Sequence, residues 1–117
     1  ERSKLPFALT TSSQRKWVDL IFADLHWRDL LTFVLTGDDV THGKPHPEMY
    51  LSAAEQFDVD PRVMLVLEDS GNGCAAGVAA GANVAAVPND HTREQDFAGA
   101  TLVAESLMDR RLWDLLT

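Results

Sequence analysis

Glu68 and Asp69 stand side by side where an apolar run gives way to a glycine- and alanine-rich one, VLEDSGNGCAAGVAAGA (66–82). Adjacent carboxylates repel, and a nearby cation is the simplest way to keep both ionised. Hard oxygen donors suit Mg²⁺, which takes one or two carboxylates and completes its shell with water and substrate oxygens. Gly71 and Gly73 let the backbone turn tightly and expose N–H groups. The plainer reading makes Asp69 or Ser70 only the N-cap of the next helix. Two more groups could act with the pair. Thr10, Thr11, Ser12 and Ser13 follow PFAL, where hydroxyls and free N–H groups can hold an anion at a helix start. Plain N-capping competes with that reading. Lys44, in HGKPHPEMY, is held between Gly43 and Pro45 and could serve as a fixed positive charge for phosphate. A solvated loop lysine is its competing reading.

These groups need elements to position them. LPFALTT (5–11), LTFVLTG (31–37), VMLVLE (63–68), NVAAVP (83–88) and TLVA (101–104) read as strands. VMLVLE is apolar throughout, which predicts a strand buried on both faces of a parallel sheet. Trp17, Leu20, Ile21, Asp24 and Leu25 recur at helical spacing within 12–25, with Ser12 or Ser13 as N-cap. Pro47 suits the first turn of a helix running to about Phe57, and Asp60-Pro61 starts a short turn. The small side chains of 72–82 make a helix that can press close to a sheet, and 106–116 close the chain as a helix. Strands and helices alternate, which argues an α/β fold with a parallel sheet in one domain.

Bulk composition narrows the function. The 117 residues are 45% hydrophobic and 24% charged, as in an ordinary globular domain. A net charge of −8 with no basic cluster argues against nucleic acid and anionic membranes as partners. No apolar run reaches the roughly 18 residues of a membrane span. Cys74 is the single cysteine, which excludes an internal disulfide and makes a reducing cytoplasm the expected location. His42 and His46 flank Lys44 and either could touch a substrate; their spacing is not expected to build a metal site. Trp17, Trp27 and Trp113 are expected to pack, His26 and His91 have no evident partner, and Cys74 reads as an inert core thiol.

Hydroxyls, then a lysine, then paired acids, each after a strand, resemble the haloacid dehalogenase-like superfamily of phosphohydrolases and phosphomutases. TTSS resembles its second motif, GKPHPEMY its third and VLEDSGNGCAAGVAAGA its fourth, in the subgroup of β-phosphoglucomutase and small sugar-phosphate phosphatases. The resemblance implies a three-layer Rossmann-like parallel sheet with helices on both faces. It also implies a Mg²⁺-dependent phosphatase acting on small phosphomonoesters through an aspartyl-phosphate. In it, Thr11 would hydrogen-bond the phosphoryl group, with Ser12 and Ser13 in the same pocket. Lys44 would balance charge on the phosphoryl oxygens and the nucleophile. Asp69 would bind Mg²⁺ directly, and Glu68 directly or through water. A phosphomutase is the alternative activity, and dehalogenases are close relatives.

The family's first motif, an aspartate nucleophile with an acid/base aspartate two residues on, has no counterpart here. Asp58-Val59-Asp60 is the one D-x-D, and it follows a helix, between the third and fourth motifs. The family's mobile cap is absent too. Residues 1–117 therefore read as one partial core domain, inactive alone. The strands before the second and fourth motifs would flank an empty slot, filled by a missing N-terminal segment or another copy, unless they close onto each other. Two other readings stand beside this one. G-x-G-x-x-x-G after a strand, with Asp90 ending the next strand, imitates a dinucleotide-binding unit. A non-catalytic α/β binding module is the third.

Overall fold

The computed structural model describes residues 6–16, 19 and 31–115. Much of the predicted helix over 12–25, with Trp17, Leu20, Ile21, Asp24 and Leu25, lies outside these residues, as do His26 and Trp27. In chain order the elements are β1 (Ala8–Thr10), β2 (Phe33–Leu35), α1 (Glu48–Phe57), β3 (Leu65–Glu68), α2 (Gly71–Ala79), β4 (Asn83–Ala86), β5 (Leu102–Val103) and α3 (Arg110–Asp114). Among the described residues two 3₁₀ turns, Gly37–Asp39 and Pro61–Val63, punctuate them. Every strand pair is parallel. This is the α/β arrangement with parallel strands that the alternation of elements predicts, and the Rossmann-like fold that the resemblance implies. No described helix is long and apolar enough to cross a membrane.

The strands form two sheets, β1–β2 and β3–β4–β5. Among the described residues β1 pairs only with β2, and β3 only with β4, so the two have not closed onto each other. This also corrects the reading of β3 as buried on both faces. Val66 is buried but Leu67 is 52% exposed. The strand with neighbours on both sides is β4, and its Val84, Ala85 and Ala86 are fully buried.

Small residues bring α2 down onto the sheet. A Cβ on Gly77 would come within 2.6 Å of Val84 Cγ2, so only glycine fits there. One core cluster joins Tyr50, Val66, Cys74, Ala76, Ala80 and Val84; a second joins Leu35, Met49 and Ala53, with Phe33 and Val40 against it. Met49 and Tyr50 are consecutive on α1 yet enter different clusters. That helix is the beam between the two sheets.

Helix ends follow local chemistry. Asp58 closes α1 in the left-handed conformation (φ 58°), donating its N–H to Ala54 and Glu55 carbonyls. Asp60 caps the turn at Pro61 by accepting the Arg62 N–H. Both members of the D-x-D are thus accounted for by chain reversal. The closing helix is shorter than expected, Arg110–Asp114. Trp113, expected to pack, is 54% exposed and donates its indole N–H to the Leu107 carbonyl at 2.8 Å.

Candidate active site

The carboxyl ends of β1 and β3 open onto one cleft of about 610 Å³. Parallel strands send their following loops to the same edge, and ligands of open α/β sheets collect there. Thr10, Thr11, Ser12, Lys44, Glu68 and Asp69 all line it. Three segments, spread along the chain from Thr10 to Asp69, therefore meet where the sequence placed its candidate chemistry. Ser13 is the exception. Its N–H goes to Thr11 Oγ1 at 3.1 Å and its carbonyl accepts the Gly37 N–H at 2.9 Å. Ser13 is spent on joining the β1 exit loop to the β2 exit, and it does not line the cleft.

Gly37 lets these two exits meet, because a Cβ there would overlap the Ser12 carbonyl. Thr36 caps the next turn, and Asp39 completes a capping box. Arg15 ties the same corner down, reaching Asp39 at 2.8 Å and the Val34 carbonyl at 2.9 Å. The Thr36 amide, followed by Arg15, holds the Asp39 carboxyl below its usual range. Thr11 lines the cleft, and its Oγ1 accepts one hydrogen bond from the Ser13 N–H.

The two acids have different surroundings. Glu68 turns inward: its side chain is 8% exposed, and Lys44 Nζ lies 2.5 Å from its Oε2. The Tyr50 hydroxyl donates to the same oxygen and accepts from Thr10 Oγ1 at 3.3 Å. Lys44 is itself only 12% exposed and sits 5.1 Å from the centre of the Tyr50 ring. It is a buried ion-pair partner, not a solvated loop lysine. Burial, then the charge of Glu68, pushes the Tyr50 phenol far above its ordinary value, so it stays a proton donor to the carboxylate.

Asp69 is exposed at the cleft and takes the Asn89 amide at 3.3 Å. It is not the helix cap. Ser70 caps α2 by accepting the Gly73 N–H. That removes the plain explanation for Asp69 and leaves its oxygens facing the cleft. The donor set fits Mg²⁺: a hard carboxylate with room for water beside it, and a second carboxylate next in sequence. The cation already beside Glu68 is Lys44.

Gly71 and Gly73 are glycines for a different reason than predicted. Neither has a positive φ; among the described residues only Gly81 and Gly99 are positive-φ glycines. A Cβ on Gly73 would overlap the Glu68 carboxylate, and one on Gly71 would lie 2.9 Å from the Asp96 carbonyl. The glycine at 73 makes room for the acid. The dinucleotide reading weakens accordingly, since this fingerprint serves a carboxylate. Asp90, its proposed ribose ligand, is 92% exposed and paired with Arg93 at 2.7 Å.

Sequence reasoning missed Tyr50 and Asn89. Tyr50 falls in the buried stripe Met49, Tyr50, Ala53, Ala54 of α1, and a buried tyrosine hydroxyl needs a partner. That stripe was the available signal. The structure also gathers a cluster that spacing did not suggest: His42, His46 and Glu48 place potential ligand atoms within 4.8 Å of one another. The loop folds back through the His46 N–H to Gly43 carbonyl bond, and spacing alone does not show that. Cys74 is buried, and burial followed by the nearby Glu68 and Asp96 charges raises its thiol, as suits an inert core cysteine.

Comparison with known proteins gives a consistent picture. A family model described as haloacid dehalogenase-like hydrolase matches residues 1–87. The chain is 37% identical over 114 residues to the bifunctional riboflavin kinase/FMN phosphatase of Arabidopsis thaliana, covering 95% of this chain and 30% of that protein. Its fold matches CbbY from Rhodobacter sphaeroides in complex with phosphate, with a TM-score of 0.82 and 30% identity, over 90% of this chain and 48% of CbbY. A CbbY variant bound to xylulose-1,5-bisphosphate matches with a TM-score of 0.78 and 31% identity, over 87% and 47% of the two chains. The chain thus spans a third to a half of the length of these relatives.

Proposed function

The chain belongs to the haloacid dehalogenase-like hydrolase family, and from that membership we propose that it is part of the core of a Mg²⁺-dependent phosphatase for small phosphomonoesters. The observation that carries this reading is the convergence of Thr11, Lys44, Glu68 and Asp69 on one cleft. Names of relatives support the reaction class: one is an FMN phosphatase, and CbbY is solved with phosphate and with a sugar bisphosphate.

The residues divide the work as follows. Thr11 donates its hydroxyl proton to a phosphoryl oxygen. The Lys44 ammonium, fixed by Glu68, faces the charge that develops on the transferring group, where a preorganised donor acts without reorganising. Glu68 and Tyr50 hold that ammonium in place. Asp69 would hold Mg²⁺, with Glu68 binding it directly or through water, and the ion would supply charge neutralisation for the phosphoryl oxygens. The nucleophilic aspartate comes from a segment outside these 117 residues, on a strand entering the slot between β1 and β3. It forms an acyl phosphate as the ester oxygen leaves, and water then releases phosphate.

An assay of phosphomonoester hydrolysis tests this, run on residues 1–117 and on the protein that contains them. Turnover is expected only from the longer protein, and Asp69→Asn there should reduce kcat by at least about 100-fold. Turnover by residues 1–117 that Asp58→Asn abolishes would overturn the external nucleophile. Full activity in Asp69→Asn would overturn the metal assignment.

A further inference from the structure

The loop that carries Lys44 brings together two imidazoles and a carboxylate with no role in the cleft. His42, His46 and Glu48 each offer a ligand atom, and these atoms lie within 4.8 Å of one another. The imidazole rings stack with centroids 4.6 Å apart. Glu48 is fixed before any ion arrives, because its two carboxylate oxygens accept the Thr41 and His42 amides, each at 2.8 Å. His42 Nδ1 stands 3.2 Å from Glu48 Oε1. The His42 side chain is 63% exposed, so the cluster has an open approach from solvent.

We infer that His42, His46 and Glu48 form a binding site for one transition-metal ion of the Zn²⁺ class, on the loop that holds Lys44. Two histidines and a glutamate are a donor set that Zn²⁺ accepts, with a remaining position for water. Imidazole donors favour Zn²⁺, Cu²⁺ and Ni²⁺, whereas Mg²⁺ prefers all-oxygen surroundings. The site is therefore chemically separate from Asp69. His46 Nδ1 now accepts the Glu48 N–H at 3.1 Å, so ligation through that nitrogen exchanges the amide bond for one to the ion. An ion held from both sides of Lys44 would also restrict the backbone that positions the ammonium.

The test is calorimetric titration of Zn²⁺ into the full-length protein that carries this chain, with Mg²⁺ in excess. One Zn²⁺ should bind per chain, both in the unaltered protein and in Asp69→Asn. His42→Ala/His46→Ala should weaken binding at least about tenfold, because removing a ligand costs no less than removing its supporting partner. Glu48→Gln keeps an acceptor oxygen for only one of the two backbone amides, so it should weaken Zn²⁺ binding and also lower the metal-free melting temperature slightly. The Glu48 amide resonance should shift on Zn²⁺ addition. No Zn²⁺ uptake, or uptake that both variants leave unchanged, overturns the site. Loss of binding in Asp69→Asn alone would place the ion at the cleft and overturn it equally.

Discussion

The β3–β4–β5 half and the β1–β2 half of this molecule are held by different forces. In the first, α2 lies on β3 and β4 through Gly77, against Val84 and Val66, and the contact is apolar. In the second, the apolar cluster is small, and the exits of both strands are fastened by Arg15, Thr36, Asp38 and Asp39. The halves meet through α1 and through Lys44 and Tyr50, both of which end on Glu68. The candidate site therefore lies on the seam. Catalytic machinery assembled across a seam depends on polar contacts that span it, so each half can be tested separately, and the seam as well.

The seam should show the largest effect. Lys44→Met leaves Glu68 buried with only the tyrosine hydroxyl for company, and breaking a buried ion pair from one side costs about 3–5 kcal/mol. Denaturant unfolding of the intact protein should show that loss. Adding Glu68→Gln should recover a large part of it, because the uncompensated charge is gone. If the double variant is no more stable than Lys44→Met, the cost lies in loop packing and the pair is not what joins the halves.

Next in size is the apolar half. Gly77→Val forces a branched side chain into the space held by Val84 Cγ2 and Val66, and overpacking of this kind costs about 1–3 kcal/mol. The loss should be the same at low and high salt, since no charge is involved. A salt-dependent loss would show that the helix–sheet contact is coupled to the polar seam.

How much of this was legible beforehand follows the same division. The apolar half was readable: VMLVLE, the small-residue helix and NVAAVP announce strand, helix, strand, with boundaries off by a few residues at most. The order of the three motifs was enough to bring Thr11, Lys44, Glu68 and Asp69 to one edge, because parallel strands carry their loops there. Contacts across the seam were not legible. Nothing in the spacing of Lys44 and Glu68 says that one neutralises the other. Gly73 reads as a turn glycine until the Glu68 carboxylate is seen where its Cβ would be. Ser13 and Thr11 have near-identical chemistry and neighbouring positions, yet a backbone bond to Gly37 gives one to the scaffold and leaves the other to the cleft.

The polar fastening of the β1–β2 half should give the smallest effect, and pH should reveal it. Asp39 accepts the Thr36 amide and hydroxyl and the Arg15 guanidinium, all of which favour its charged form and lower its pKa. A lowered carboxyl pKa contributes stability that is complete above the unfolded value, about 3.9. That contribution fades as pH falls through the lower, folded value. Asp39→Asn cannot titrate, so it should be less stable than the unaltered protein at neutral pH, by under about 1 kcal/mol. The two stability curves should converge as pH drops below about 3.9. Because Arg15 and Asp39 are partly exposed, added salt should shrink the neutral-pH gap as well. Parallel curves down to acid pH would mean that ionisation of Asp39 contributes no stability, and that the second half is fastened by geometry and not by charge.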